Sequence, residues 1–272
     1  MKIVLIIIAV FAVIFILYIL ALHGRKNHPH LPEMGKWSYA HRGLHDKPGI
    51  PENSLAAFRR ALHKDYGAEL DVHLLRDGGL AVMHDSSLKR TTGAEGRIED
   101  LTVPMLSGYN LEGTTETIPQ LCEVLELFNG KAPLIVELKP ADGNHKTLCE
   151  AVFKLLDNYK GFYVVESFDP RCVLWLKKHR PHVIRGQLAH DFIKEKSGMC
   201  GAVDVILTAL MANFLTRPDF IAYKFEDRKH LGNILCLKLW KLQGASWTIR
   251  TKEDYDTAVS EGLVPIFENF EP

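Results

Sequence analysis

The chain has 272 residues, with 33 basic and 33 acidic side chains, so its formal net charge is zero. A neutral chain lacks the overall positive field that draws nucleic acids, so we expect no nucleic-acid partner and only local anion binding. The five cysteines are odd in number and include no C-x-x-C pair, which argues against a zinc site or a disulfide framework. Nothing in the sequence implies a protein partner.

An apolar segment opens the chain. Residues 3–22 contain no charge, glycine or proline, and at helical rise they are long enough to cross a hydrocarbon core of about 30 Å. A cleaved signal peptide is the alternative, but its apolar region is typically about 7–15 residues. We predict a single-pass N-terminal membrane anchor over residues 1–22, in contact with the membrane through residues 3–22, and a polar linker over residues 23–35.

The charges that flank the anchor favour one orientation by a narrow count. Lys2 precedes the apolar run, whereas Arg25 and Lys26 follow it. Because positive charge favours the cytoplasmic side, this count places the large domain in the cytoplasm and leaves the opposite orientation as the alternative.

The remaining residues, 36–272, are close to the size of a TIM barrel, about 250 residues, and predict one domain rather than two. Short apolar strands alternate with helices in the first part. The predicted elements are a strand over 37–41, a helix that begins after Asn53 or Ser54, a strand over 68–72, a turn over 77–79 and a strand over 80–84.

The second part continues the alternation after a small insertion. Residues 85–131 follow the third strand and contain no long periodic element except a helix over 121–128. A strand over 132–139, a helix over 147–158 and five more strand candidates follow, over 162–167, 183–188, 219–223, 245–249 and 264–267. This alternation implies a parallel sheet. We predict a closed TIM (β/α)8 barrel, with an open doubly wound sheet as the alternative. Nine candidates exceed eight strands, so one of the later candidates is expected to be something else.

Polar side chains cluster at the predicted strand ends, where barrels of this kind carry their active sites. Successive strands end in such residues: His41 and Arg42, Glu69 and Asp71, His84 and Asp85, Glu137 and Lys139, Ser167, and, in a late strand, Trp247. Five successive strands with this pattern predict a shared site at one end of the barrel.

The acidic residues of this set predict a metal site. Glu69 and Asp71 are two residues apart, so in a strand they point to the same face. Two buried carboxylates side by side are costly unless a cation compensates them. Glu137 adds a third oxygen donor, and three carboxylates suit one divalent cation, Ca²⁺ or Mg²⁺, better than zinc.

The remaining polar residues predict chemistry on a phosphate. Arg42 and Lys139 are cations fit to hold an anion beside the metal. His41 and His84 can serve as a general acid and a general base near neutral pH. Taken singly, each has a structural alternative, such as an internal Glu137–Lys139 salt bridge or a strand-end histidine without function. Together they predict metal-assisted displacement at phosphorus.

Several short motifs in this order resemble the glycerophosphodiester phosphodiesterases, and the resemblance spans almost all of residues 37–272. They are Tyr39-Ala40-His41-Arg42-Gly43, Pro51-Glu52-Asn53-Ser54, Glu69-Leu70-Asp71-Val72, Asp77-Gly78, His84-Asp85, Arg90-Thr91-Thr92-Gly93, Glu137-Leu138-Lys139, Glu166-Ser167-Phe168-Asp169-Pro170 and Ser246-Trp247-Thr248. Ser54 stands where threonine is common in the family.

The resemblance implies a TIM barrel with an insertion after the third strand. It also implies Ca²⁺- or Mg²⁺-assisted hydrolysis of glycerophosphodiesters to glycerol 3-phosphate and an alcohol. By residue, it implies His41 and His84 as the catalytic pair, Glu69, Asp71 and Glu137 as metal ligands, Arg42 and Lys139 as phosphate contacts, Glu52 as a supporting residue and Trp247 as a lining residue.

Two other functions stay open. The predicted anchor favours a lysophospholipase D that acts on membrane lysophospholipids. A catalytically inactive, membrane-tethered binding module is the second alternative, and the presence of both histidines and all three carboxylates argues against it. The nucleophile is either water or the neighbouring glycerol hydroxyl.

Overall fold

The computed structural model describes residues 1–195 and 201–272; of the five cysteines, Cys200 lies outside them. The strands are β1 (Tyr39–Ala40), β2 (Gly67–Leu74), β3 (Leu80–Val82), β4 (Leu134–Leu138), β5 (Tyr163–Ser167), β6 (Arg185–Ala189), β7 (Phe220–Lys224), β8 (Gln243–Ile249) and β9 (Leu263–Phe267). The longer helices are α1 (Lys2–Ala21), α3 (Leu55–His63), α5 (Leu121–Phe128), α6 (His145–Leu156), α7 (Pro170–His179), α9 (Gly201–Thr208) and α12 (Lys252–Ser260), and the helices of one turn are α2 (Leu31–Met34), α4 (Lys89–Thr92), α8 (Phe192–Glu195), α10 (Asn213–Thr216) and α11 (Leu231–Ile234).

Eight parallel strands form a closed barrel in the order β1-β9-β8-β7-β6-β5-β4-β2, and β1 pairs with β2 to close it. This confirms the TIM barrel and excludes the open sheet. Apolar side chains such as Ile135, Val164, Phe220 and Val264 fill one continuous buried cluster. A larger cluster packs the helices against the outside of the strands. The barrel interior is therefore largely apolar, and a polar site can form at the carboxyl-terminal end of the strands.

The strand in excess of eight is β3, so the expectation that a later candidate would drop out was wrong. All the later candidates are barrel strands, whereas β3 pairs antiparallel with β2 alone. The tight turn between them explains this, because the Leu75 amide donates to the Gly79 carbonyl and Gly78 has a φ of +87°. A parallel return would need a crossover of about a dozen residues. β3 therefore carries the chain back along β2 to the barrel.

The insertion after β3 has a small core of its own. It contains α4, two 3₁₀ helices at Ile98–Asp100 and Val103–Gly108, and α5. Its buried apolar residues, among them Leu88, Leu101 and Ile118, form a separate cluster with β3. The insertion thus packs as a subsidiary layer beside the barrel mouth rather than as a loose loop.

The helix α1 projects from the barrel, and only its last turn is packed. Its residues 3–17 are all exposed, whereas Leu22 is fully buried. This is the one helix in the described part of the chain that is long and apolar enough to cross a membrane. Trp240 Nε1 donates to the Ile19 carbonyl, and Tyr18 donates to the Ala209 carbonyl.

Residues 23–35, predicted as a linker, cross the amino-terminal end of the barrel in contact with it. Arg25 forms an ion pair with the buried Asp219, at 2.5 Å between Nε and Oδ1. Met34 is fully buried and belongs to the cluster inside the barrel. Arg25, His28 and Met34 therefore hold this end of the barrel to the base of α1.

Candidate active site

A cavity of about 710 Å³ opens at the carboxyl-terminal end of the barrel. Of the predicted site residues, six line it: His41, Arg42, Glu52, His84, Lys139 and Trp247. The three acidic residues lie at its floor, where a smaller adjoining cavity is lined by Glu69 and Glu137. The structure therefore gathers all nine predicted site residues around one opening.

Glu69, Asp71 and Glu137 converge because of strand register. Asp71 of β2 is paired with Glu137 of β4, and Glu69 lies two residues earlier on the same face. One oxygen of each carboxylate lies within 4.8 Å of the others, and all three side chains are buried. Within the described residues, Glu69 Oε1 has no hydrogen-bond partner. A buried acceptor without a partner beside two other hard oxygens fits a divalent cation.

The pKa values of the acidic residues reflect crowding of negative charge. Burial, and then the charge of Asp71, raises the pKa of Glu69 well above its usual range. Burial also raises the pKa of Glu137 to about 7, against the opposing effect of Lys139. Burial would raise the pKa of Asp71 too, but Lys139, His84 and Arg42 outweigh it and hold that pKa well below its usual range. Of the three carboxyl groups, Asp71 is therefore the one whose charged form the neighbouring cations favour most.

Lys139 supplies the nearest compensating charge. Its ammonium lies 2.7 Å from Glu137 Oε1 and 3.1 Å from Asp71 Oδ1. Burial would lower the pKa of Lys139, but these carboxylates outweigh it and raise that pKa above its usual range, so the ammonium stays protonated. The side chain also lies over the ring of Phe168, 5.8 Å from the centroid. The internal salt bridge that the sequence left open is therefore formed, and it places a fixed positive charge at the cavity.

Arg42 is held by its backbone as well as its side chain. Its φ of +56° is in the left-handed region, which a non-glycine residue adopts only at a cost of about 1–3 kcal/mol. This conformation lets its amide donate to Glu69 Oε2 at 3.0 Å, while Nη1 donates to Glu52 Oε1 at 2.8 Å. Arg90 binds both oxygens of Glu52. Glu52 thus orients two guanidinium groups at the rim of the site.

His41 follows β1 and is bonded to a carboxylate that the sequence analysis missed. Its Nδ1 lies 2.6 Å from Glu268 Oε2. Burial, and then the charge of Arg42, lowers the pKa of His41 to about 4 against the opposing effect of Glu268. The ring is therefore neutral at pH 7, and we assign its proton to Nδ1 because the ionised Glu268 can only accept. Nε2 then has a free lone pair, 3.9 Å from Glu69 Oε2.

His84 follows β3, which is not a barrel strand, and this corrects the interpretation of His84 as the end of a barrel strand. The Met83 amide donates to the Asp71 carbonyl, so the returning strand brings His84 beside the acidic residues. Its Nδ1 lies 2.6 Å from Asp85 Oδ1. Burial lowers the pKa of His84, while Asp71 and Asp85 oppose the shift. Both candidate catalytic histidines therefore have Nδ1 held by a carboxylate.

Three further polar residues of the site were not predicted. Glu268 directly follows β9, so the strand-end rule applied to the last strand would have found it. Asn53 donates to Asp71 Oδ2 at 2.8 Å. Glu166 lies on β5 beside Glu137, and burial together with Glu137 raises its pKa well above the usual range. No local signal distinguished Asn53 from a helix cap, and Ser54 is the residue that caps α3.

One wall of the cavity is aromatic. Trp247 and Phe168 meet edge to face with centroids 5.5 Å apart, and Trp247 Nε1 donates to the Ala222 carbonyl. His190 packs against the same pair. The cavity thus combines a charged floor with an apolar wall, which suits a substrate that has a phosphate and a less polar group.

Comparison with known proteins agrees with this arrangement. The model of the glycerophosphoryl diester phosphodiesterase family matches residues 41–270. The chain belongs to this family. A glycerophosphodiester phosphodiesterase from Caldanaerobacter subterraneus subsp. tengcongensis is 32% identical over 240 residues, which cover 82% of this chain and 90% of that protein. The chain is therefore an enzyme of the glycerophosphodiester phosphodiesterase class.

Two other similar proteins bear on particular points. A solved phosphodiesterase from Oleispira antarctica, in complex with the product sn-glycerol-3-phosphate, has a TM-score of 0.69 at 22% identity and covers 85% of this chain and 92% of its own. At that identity, the similarity shows that the present chain and the Oleispira antarctica protein share a fold. A lysophospholipase D from Rattus norvegicus is 34% identical over 122 residues, 40% of this chain and 38% of that protein.

Proposed function

We propose that this chain is a membrane-anchored, metal-dependent hydrolase that cleaves glycerophosphodiesters to glycerol 3-phosphate and an alcohol by His/His acid-base catalysis. The observation that carries the proposal is the pairing of His41 with Glu268 and of His84 with Asp85, beside three buried carboxylates. An acid, a base and a cation site around one cavity are the groups that hydrolysis of a phosphodiester requires.

Glu69, Asp71 and Glu137 are the residues that would hold the metal. One divalent cation, Ca²⁺ or Mg²⁺, would neutralise charge on the phosphate when bound and so favour attack at phosphorus. It would also favour the charged forms of Glu69 and Glu137, against the burial and the charge repulsion that raise their pKa values. All three ligands are carboxylates, which disfavours zinc.

The phosphate is bound by Arg42 and Lys139 in this proposal. Both are permanently charged and line the cavity, and the planar guanidinium of Arg42 can contact two phosphate oxygens at once. Glu52 keeps Arg42 turned toward the cavity through the 2.8 Å hydrogen bond. Trp247 and Phe168 provide an apolar surface for the glycerol or for the alcohol.

The two histidines have different roles. His41 is buried and neutral, so its Nε2 accepts the proton of the nucleophile, and Glu268 stabilises the imidazolium that forms. His84 is more exposed, and Asp85 at its Nδ1 opposes the effect of burial on its pKa, so we assign His84 the donation of a proton to the leaving oxygen. Net hydrolysis adds the elements of water across the phosphorus–oxygen bond. The nucleophile is water or the neighbouring glycerol hydroxyl, and transient cyclic phosphate in a phosphorus NMR time course would identify the hydroxyl.

The test is replacement of each histidine in the full chain, purified in detergent. We expect His41→Ala and His84→Ala to lower glycerol 3-phosphate release from glycerophosphocholine by about 10²–10⁴-fold. His63→Ala, at an exposed position on α3, is the matched control and should leave the rate unchanged. Near-normal activity of either active-site variant, with the fold intact by circular dichroism, would overturn the assignment.

A second substrate class is favoured by α1. Residues 2–21 form a helix able to cross a membrane, and a bilayer would bring lysophospholipids to the enzyme. The relative named lysophospholipase D adds support for a lysophospholipid substrate. The direct test compares the release of choline from glycerophosphocholine and from lysophosphatidylcholine by the full chain in vesicles. An inactive binding module is the least supported alternative, since every predicted catalytic residue is present at the cavity.

A further inference from the structure

The course of the chain from Arg25 back to Tyr18 shows on which side α1 leaves the barrel. Arg25 contacts Asp219, which immediately precedes β7 and so marks the amino-terminal end. The Leu22 carbonyl accepts from Asn213, the first residue of α10, and from Cys236, near the start of the π-helix that follows α11. The Tyr18 hydroxyl lies 2.9 Å from where a Cβ on Gly232 would be, at the start of α11, which follows the carboxyl-terminal end of β7. The free part of α1 therefore projects on the side of the active-site mouth.

The base of α1 is surrounded by exposed apolar side chains. Among the described residues after α1, ten of the twelve large hydrophobic residues that are exposed lie between positions 193 and 239. The most exposed of these on the helices next to α1 are Phe214 and Leu215 on α10, at 60% and 53%, and Leu231 on α11, at 51%. Single exposed apolar residues are ordinary, but a concentrated patch marks an interaction surface.

The patch has two parts, and the last turn of α1 lies between them. On one side, α9 and α10 form with the start of α7 an apolar groove of about 440 Å³, lined by Met211 and Phe214 among others. On the other side, α11 continues into a π-helix over Leu235–Leu239, whose Leu239 is 51% exposed. We name α9, α10, α11 and Leu235–Leu239 the collar, because the last turn of α1 lies between its two parts.

The charged residues in the collar and directly beside it suit a lipid headgroup region. Residues 228–241 include four basic residues and no acidic one. Asp204 is the one acidic residue of α9 and α10, and it is buried. Lys26 lies over the ring of Trp240, which in turn is bonded to the backbone of α1. Tryptophan and tyrosine at the end of an apolar helix, with basic residues beside them, are typical of the membrane interface.

We propose that the collar lies in the interface of a phospholipid bilayer, so that the barrel sits on the membrane with its mouth turned toward the lipid. The inference rests on the proposal that α1 spans the membrane. It adds that α1 is not a free tether: the docked last turn fixes the orientation of the barrel. Amphiphilic phosphodiesters at the bilayer surface would then reach the cavity without passing through bulk water.

The experiment uses the full chain in vesicles of phosphatidylcholine and phosphatidylglycerol. Two native thiols are first removed: Cys122→Ser because Cys122 is exposed, and Cys200→Ser because Cys200 lies outside the described residues. An environment-sensitive fluorophore is attached to Phe214→Cys, to Leu231→Cys, or to Val259→Cys. Val259, on α12, is 51% exposed, as Leu231 is, and lies outside the collar. We expect doxyl-labelled lipids to quench the two collar probes at least about twofold, since they contact the interface, and to leave the α12 probe unquenched.

Three results would overturn the proposal, and the measurements distinguish them. If the chain does not float with the vesicles, α1 is not an anchor and the proposal fails with it. If the chain floats but its collar probes are quenched no more than the α12 probe, the anchor stands and the collar is wrong. Collar probes that are shielded from water yet unquenched by lipid would show that a second copy of the chain covers the surface, which also contradicts the proposal.

Discussion

The two ends of the barrel each bury charged side chains, and they do so in opposite ways. At the amino-terminal end, Asp219 is fully buried and both its oxygens are bound by Arg25, while the Arg185 amide adds a further donor. At the mouth, Glu69 keeps one oxygen without a hydrogen-bond partner in the described structure, next to two more carboxylates. A saturated buried charge needs nothing more, whereas an unsaturated cluster needs a ligand. The comparison separates a structural ion pair from a cluster of carboxylates that could bind a cation.

The largest expected effects come from removing one buried carboxylate charge at each end of the barrel, and they differ in activity and in stability. Glu69→Gln should lower activity about a thousandfold, because the site loses a charge that offsets a cation. Under chelation it should leave the unfolding midpoint unchanged or raised, since burial of that charge is unfavourable. Asp219→Asn should show the reverse, a loss of about 3–5 kcal/mol in the free energy of unfolding because Arg25 loses its charged partner. Its folded fraction should keep its activity. Activity assays and thermal unfolding in detergent measure both, and a strongly destabilised Glu69→Gln would break the comparison.

Glu268 tests whether its bond to His41 is catalytic support or simple packing. Glu268→Gln preserves the shape but removes the charge that stabilises an imidazolium, so kcat should fall about a hundredfold while KM changes little. The control is Glu271→Gln, a carboxylate near the chain end that pairs with Arg60 and Lys64 away from the cavity. A variant whose KM rises while kcat is kept would show that Glu268 positions substrate instead.

Substitutions in the collar should distinguish the access of lipid to the cavity from the chemical step. Phe214→Asp combined with Leu231→Asp should lower the hydrolysis of lysophosphatidylcholine in vesicles about tenfold, because charged residues lift the collar from the interface. Hydrolysis of glycerophosphocholine by the same vesicles should be unchanged. Val259→Asp should alter neither rate. Equal losses on both substrates would mean that the collar supports the fold rather than access to lipid.

The smallest expected effect concerns Glu52, and it is a dependence of the free energy of unfolding on pH. Both its oxygens are bound by arginines, so it belongs with Asp219 although it lies at the mouth. Burial would raise its pKa, but Arg90 and Arg42 outweigh that and lower the pKa to about 2. Because the folded pKa lies below the unfolded value of about 4.3, the stabilising contribution is complete above pH 4.3 and is lost as the pH falls toward 2. The unfolding midpoints of the wild type and Glu52→Gln should therefore differ at pH 6 and converge near pH 2.

Local patterns accounted for most of the barrel and for the residues now found at its mouth. The i, i+2 spacing of Glu69 and Asp71 placed them on one face, and the helix over Leu121–Phe128 has the predicted bounds. The direction of β3 was open to prediction from the turn at Gly78, since so short a connection cannot link parallel strands. The packing of Arg25 on Asp219, 194 residues away, depends on the closed barrel and leaves no local signal. Glu268 was missed because the strand-end rule was not carried to the last strand.

We propose that the acidic cluster at the mouth holds a divalent cation that the reaction needs. The most direct measurement is glycerol 3-phosphate release from glycerophosphocholine by the full chain in detergent, after metal has been stripped and then after Ca²⁺ or Mg²⁺ is added. We expect no turnover without metal. Turnover should return in the wild type when the cation is added, and it should not return in Glu69→Gln at the same cation concentration. Full activity of the stripped enzyme in the presence of chelator would contradict it.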